Sequence, residues 1–323
     1  MTAVRGSAAL APTATGSVYV EINANGSITY TCSTGSAGTS ADGTTTGELG
    51  GASQTNAVSG GASDNADTRF GNGGNQVGRN SLFVSTQGAG LNGADWNAWA
   101  SIDYQKYSNA LTGSSLDFVG GVDKLLDDDT LVGVLLGVGR MDLSDGTNSS
   151  EQTSIAVGPY FAHRLDTMII DGFVTFARPK YETTAGNFTS TRWSLGLSAA
   201  GEALPSAPFV APYFDLVAFR ENQPAYGAVA ANSITSYTVS MGAEITALQP
   251  LGDSGLTPHM RVGLDAKSTQ STLAATDSFV YGRLGLGVSG QVGAGHMVVD
   301  IDYGKTRSDV FNTGLQMRWE FSF

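Results

Sequence analysis

The chain has 323 residues, of which 41% are hydrophobic and only 14% charged, with 43 glycines and a formal net charge of -12. Soluble globules carry about a quarter charged residues, and an acidic chain has no basic stripe with which to displace phosphate counterions, which excludes nucleic-acid binding. Cys32 is the only cysteine, so an intrachain disulfide or a Cys-based zinc site is excluded. The absence of any run of about 18 apolar residues excludes a helical membrane span but not a strand-built one.

Residues 1–68 are dominated by Gly, Ser, Thr, Ala, Asn and Asp. Within them Val18, Val20 and Ile22 alternate with Tyr19 and Glu21, Asn25-Gly26 follows, and Ile28, Tyr30 and Cys32 alternate with Thr29 and Thr31. This predicts a β-hairpin over 17–32. Residues 33–68 hold almost no large apolar side chain, so they are expected to remain flexible. Residues 1–20 lack the charged and apolar regions of a signal peptide, so an export leader is expected upstream or already removed. Residues 69–94 are again rich in Gly and Asn, too rich to propagate a helix, and are read as a linker in or at a pore. The short run Ser81 to Gln87 within them would line that pore or pack at its mouth.

From Trp96 onward the texture changes to about twelve segments of roughly ten residues with period-two alternation, the length a tilted membrane strand needs. Expected lipid-facing residues include Trp96, Ile102 and Tyr104, then Leu116, Phe118 and Val122, then Val132, Val134, Leu136 and Val138. Later sets include Ile155, Val157 and Phe161, Trp193, Leu195 and Leu197, and Leu284, Leu286 and Val288. The opposite parity carries charges of both signs: Asp103, Asp171, Arg192, Asp215, Glu244, Arg261, Asp265, Arg283, Asp300, Asp302, Arg318 and Glu320. These are expected to face a narrow aqueous lumen and pair across it. The predicted connections alternate short and long, as in an up-and-down barrel. The last strand places Leu315, Met317, Trp319, Phe321 and Phe323 on one face and Gln316, Arg318, Glu320 and Ser322 on the other. The fold class is therefore all-β, a transmembrane antiparallel barrel of about twelve strands over 95–323.

No pattern for catalysis stands out. His163, His259 and His296 have no metal-ligand spacing, and no Gly-x-Ser-x-Gly elbow lies in an α/β context. Gly133, Gly137 and Gly139 lie inside a strand, where glycine permits close approach and no phosphate loop is formed. Asp127-Asp128-Asp129 lacks the Gly and Glu of a calcium loop and reads as a turn. Neither an enzyme nor a metal or cofactor is expected.

The Trp96-Asn97-Ala98-Trp99-Ala100 entry strand resembles that of the autotransporter β-domain, the translocator of type V secretion. The Gly121-Val122-Asp123 element, the Leu131-Val132-Gly133 start, Ala177-Arg178-Pro179-x-Tyr181 and the terminal Trp319-Glu320-Phe321-Ser322-Phe323 extend the resemblance from about Asn80 to Phe323. It implies a monomeric bacterial outer-membrane barrel, in contact with lipid, that anchors an N-terminal passenger and lets it cross the lumen. Residues 1–68 would then be a short passenger remnant, or the chain would be the C-terminal part of a longer protein. The aromatic C-terminal strand resembles the signal read by the outer-membrane barrel-assembly machinery. The pore-spanning helix usual in that family is not expected here. The acids of the lumen and Asn75, Asn80 and Asn92 of the linker would also suit self-cleavage, which some members perform. A passive porin-like channel for small solutes is the alternative function.

Overall fold

A computed structural model describes residues 18–22, 28–32, 40–70, 81–85, 96–292 and 295–321. Strands β1 (Val18–Ile22) and β2 (Ile28–Cys32) pair antiparallel with Val20 opposite Tyr30, and α1 (Gly43–Phe70) follows. Then come β3 (Ser81–Ser85), β4 (Trp96–Asn109), β5 (Thr112–Asp127), β6 (Thr130–Ser144) and β7 (Ser149–Leu165). Next are β8 (Met168–Ala177), β9 (Lys180–Thr183), β10 (Gly186–Thr189), β11 (Thr191–Gly201), β12 (Val210–Gln223) and β13 (Asn232–Thr246). Strands β14 (Leu256–Ser271), β15 (Asp277–Val292), β16 (Gly295–Arg307) and β17 (Val310–Phe321) complete the order.

Strands β4 to β17 form a closed antiparallel barrel of twelve strands. Two of the twelve are interrupted: β8 continues as β9 past Pro179, which has no N–H to give the ladder, and β10 continues as β11 past Ser190. The seam joins β17 to β4, with Val310 opposite Asn109 and Leu315 opposite Tyr104. Below that point β3 enters the seam, antiparallel to β4 and parallel to β17, with Leu82 beside both Ile102 and Met317.

Alternation is sharpest along β7 and β11. Trp96, Leu136 and Trp193 are 64%, 49% and 57% exposed on the outside, while Asp103, Leu135 and Arg192 beside the same band are buried inside. Such an apolar exterior belongs in hydrocarbon, where backbone groups must be paired within the wall. The connections differ from expectation. Strands run far past the apolar band, so the joins after β4, β6 and β16 shrink to residues 110–111, 145–148 and 308–309. The expected contrast of long and short loops is largely taken up as strand.

Residues 33–68, expected to be flexible, also differ. Of these, Gly43 onward belongs to a 28-residue helix buried in the lumen, and 33–39 lie outside the described residues. The expectation assumed that a segment must bring its own apolar stripe to offset the entropy of ordering. Here burial comes from all sides of the barrel wall, so no stripe is needed, and small side chains are required. A Cβ on Gly51 would lie 2.5 Å from the Phe219 ring, and one on Gly61 2.7 Å from Trp99 and from Ser101. At about 1.5 Å per residue the helix is about 42 Å long, more than the hydrocarbon thickness of about 30 Å.

Candidate functional site: the helix in the lumen

Asp42 caps α1, its Oδ1 accepting from the Thr45 N–H at 2.8 Å. The helix starts at a mouth built by the ends of β9, β10, β12 and β13. Tyr181, Phe188 and Tyr226 stack there, with centroids 4.4 and 4.0 Å apart, and a Cβ on Gly43 would run into Phe188 and Tyr226. The Gln223 amide donates to the Gly43 carbonyl at 2.8 Å, and Asn232 to Thr44 Oγ1 at 3.0 Å. Ahead of the helix, Ser40 Oγ and the Ala41 N–H donate to Asp145 Oδ2 at 3.1 and 3.0 Å. Asp145 also accepts from the Asn148 side chain and from the Thr147 and Asn148 N–H groups, and these bonds hold its carboxyl well below the usual carboxylate range.

Midway down, Arg192 and Glu221 face each other in register on β11 and β12. Both side chains are fully buried, with Arg192 Nη2 2.6 Å and Nε 2.8 Å from Glu221 Oε2. Arg192 Nη1 donates to Gln54 Oε1 at 3.2 Å and to the Gly50 carbonyl at 3.4 Å, so one guanidinium ties wall to helix. Tyr181 and Ser190 donate to Glu221 Oε1. On the opposite side Ser53 donates to Asp117 Oδ2 at 2.6 Å, and Arg307 pairs with Glu48.

On the β3 to β8 side, the lower part of the lumen is apolar. Phe83, Trp99, Val119, Leu131, Leu135, Ile169 and Phe173 close around Val58, Ala62, Ala66 and Phe70 of the helix. An aqueous channel was expected throughout. The difference arises because the helix supplies apolar small residues where β3 and the short-turn end of the wall bring aromatics. Polar groups there are linked to one another: Trp99 Nε1 donates to Tyr160 Oη (2.6 Å), which donates to Asp123 Oδ2 (2.8 Å), as does Asn65 (3.0 Å). Arg69 pairs with Asp123 at 3.2 Å, Ser63 donates to both oxygens of Asp171, and Arg164 donates to the Phe70 carbonyl at 3.1 Å.

Ten of the twelve charges singled out from the sequence lie on the lumen side: Asp103, Asp171, Arg192, Asp215, Glu244, Arg261, Asp265, Arg283, Asp300 and Asp302. The structure brings most of them into two ionic groups. Arg261 joins Glu244 (3.5 Å) and Asp300 (3.4 Å), with His259 on Asp300 at 2.6 Å. Arg283 joins Asp265 (3.0 Å) and Asp302 (3.2 Å). Asp103 accepts from Gln105 and lies directly across from Asp117, whereas Asp171 holds the helix. The side chains of Arg318 and Glu320 lie outside the described residues, although their backbones pair with Val298 and His296. Of the C-terminal signal, Leu315 points outward, while the side chains of Met317, Trp319 and Phe321, and Phe323 itself, lie outside the described residues. So do linker residues Asn75, Asn80 and Asn92.

Asp117, Asp123, Glu221 and Lys267 also face the lumen and were not among the lumen charges expected from the sequence. Parity would have found the first two, since Asp117 sits between Leu116 and Phe118 and Asp123 follows Val122. Glu221 lies near the end of β12, beyond the last large apolar residues of that strand.

No curated protein matches the chain. Among solved structures, the translocator domain of the autotransporter NalP from Neisseria meningitidis aligns with a TM-score of 0.53 at 16% identity, covering 74% of this chain and 92% of that one. The β-domain of the Bordetella autotransporter BrkA gives 0.49 at 17% identity, with coverages of 71% and 98%. The transport unit of AIDA-I from Escherichia coli gives 0.42 at 11% identity, with coverages of 72% and 92%. The NalP likeness supports the barrel fold alone. The family model of the autotransporter β-domain matches residues 95–303, most of the barrel wall just described, and the chain belongs to that family.

Proposed function

We propose that the protein is an outer-membrane translocator and anchor that carries its N-terminal segment to the cell surface and holds it there. The observation that carries this reading is the polarity of α1. Its first residue lies among the ends of β10 and β12, which we read as the surface side, and its last beside Arg164 and Asp129 at the opposite turns. A chain that left the periplasm through this lumen and stopped would be caught in that orientation, with residues before Gly43 outside. The work is physical: the barrel provides a closed path, and the wall then grips the helix by hydrogen bonds and close packing. Assembly through the C-terminal strand, action as a monomer and the lack of any enzymatic step belong to the same proposal. A passive porin is disfavoured by a lumen occupied along its length.

Labelling of Cys32 with a membrane-impermeant maleimide on intact cells tests it. Labelling without permeabilisation is expected, because Cys32 precedes the helix. Reaction only after the outer membrane is breached would overturn the proposal.

A further inference from the structure

Among the described residues every exposed lysine or arginine, namely Lys106, Arg140, Arg178, Lys180 and Arg220, points out of the barrel wall. Each continues the outward parity of the apolar residues below it, as Val174 and Phe176 lead to Arg178 and Lys180. All five lie toward the barrel end at which α1 begins, whereas the exposed turns at the other end carry Asp128, Asp166 and Glu202. Arg140 is taken up by Glu151 and Asp142, at 3.1 and 3.4 Å. Arg178, Lys180 and Arg220 form no ion pair and no side-chain hydrogen bond among the described residues.

These three cations form one patch. Arg178 and Lys180 are two residues apart, about 6.6 Å, and Arg220 lies two strands away, about 12 Å from Arg178. Beneath them Trp193 stands in register between Phe176 and Arg220. It is 57% exposed, and its ring centroid is 5.0 Å from that of Phe176. Outward aromatic rings mark the edge of the hydrocarbon, so the cations just beyond them sit at the depth of lipid head groups. Farther out, Asp142, Glu151 and Glu182 face one another in register and would repel an anion lying higher. In the register row of Arg220, β13 and β14 offer only Thr235 and Gln270, so the patch is confined to one side of the barrel. A free anion gains nothing from Phe176 and Trp193. A lipid gains from both parts, with its phosphate among the cations and its chains on the rings.

We propose that Arg178, Lys180 and Arg220 form a site for the phosphate-bearing head group of an anionic lipid in the surface-facing leaflet, with acyl chains lying on Phe176 and Trp193. The leaflet rests on the reading of the barrel as a translocator whose helix begins at the surface. A lipid held there fixes the depth of the wall on β8 to β12, where Arg192 of β11 grips the helix from the inner face.

The test uses the purified full chain in detergent, with bound lipid counted by native mass spectrometry. The probes are dioleoyl phosphatidic acid, zwitterionic dioleoyl phosphatidylcholine and inorganic phosphate. Phosphatidic acid is expected to bind about tenfold more tightly than phosphatidylcholine, and excess inorganic phosphate should displace little of it. Arg178→Gln, Lys180→Gln and Arg220→Gln together should weaken phosphatidic acid about a hundredfold, about fivefold for each charge. Lys124→Gln, at the other end of the barrel, should leave binding unchanged, and Arg178→Lys with Arg220→Lys should keep it within about threefold. Heat-modifiable migration checks that each variant is folded. Equal retention of the two lipids, or a loss in the triple variant no larger than in Lys124→Gln, would overturn the site and leave the translocator reading standing. Ready displacement by inorganic phosphate would mark a bare anion site and overturn the lipid assignment. Cys32 labelled only after the outer membrane is breached would overturn the leaflet assignment and the translocator reading together.

Discussion

Replacing Arg192 with Met separates two jobs done by one side chain. The substitution strands Glu221 in a fully buried position, and breaking a buried pair by removing one partner costs about 3 to 5 kcal/mol. It also removes the two charge-assisted bonds to Gln54 and the Gly50 carbonyl, at 3.2 and 3.4 Å. At the low end of the range for bonds to charged groups, about 1.5 kcal/mol each, they contribute about 3 kcal/mol to seating the helix, or roughly a hundredfold in its equilibrium. Hydrogen exchange of the purified barrel in detergent reads both effects. The single variant should lower the unfolding midpoint and speed exchange of the α1 amides near Gly50–Gln54. Adding Glu221→Gln removes the orphaned charge, so barrel stability should largely return, while the helix amides stay fast because their ties to Arg192 are still missing. A double variant as unstable as the single one, or helix exchange unchanged in both, would refute this division of roles.

Other positions give simpler tests. Gly61→Leu places side-chain atoms where Trp99 and Ser101 stand, so overpacking of about 3 kcal/mol should unseat the helix and open a large conductance in planar bilayers. Breaking the apolar girdle with Phe83→Ser should lower the detergent unfolding midpoint, since truncating a buried aromatic costs about 3 to 5 kcal/mol. The Asp145 carboxyl is depressed first by the Asn148 side chain and then by neighbouring N–H groups. Its contribution is therefore complete above the unfolded value of about 3.9 and is lost as pH falls through the folded one. The Ala41 amide should keep its protection from exchange between neutral pH and about pH 4 and lose it only in stronger acid. In Asp145→Asn that acid transition should vanish; an unchanged transition would assign it elsewhere.

The barrel wall was legible because each strand residue meets one of two environments, and Ile102 against Asp103, or Trp193 against Arg192, declares which. The rule holds residue by residue with no knowledge of the partner strand. The helix was not legible because its support is remote in the chain. Gly51 is small on account of Phe219, and Ser53 is polar on account of Asp117 and Ser115. Read locally, Gly43–Phe70 is only a glycine-rich stretch with poor helix propensity. Its one local signal was Asp42 ahead of a proline-free run, the pattern of an N-cap. The ionic groups were half legible: parity put Arg261 and Asp300 on one face, but their contact depends on register across β14, β15 and β16.

The claim that everything else depends on is the seating of α1 inside the barrel. Ser53 and Ser115 stand with their hydroxyls 2.8 Å apart across the interface between helix and wall. Ser53→Cys with Ser115→Cys, in a Cys32→Ser chain isolated in native outer membranes, should form a disulfide nearly quantitatively under mild oxidation, seen as a mobility shift on non-reducing gels. The same two thiols remaining free in a barrel that is otherwise folded and heat-modifiable would contradict the account.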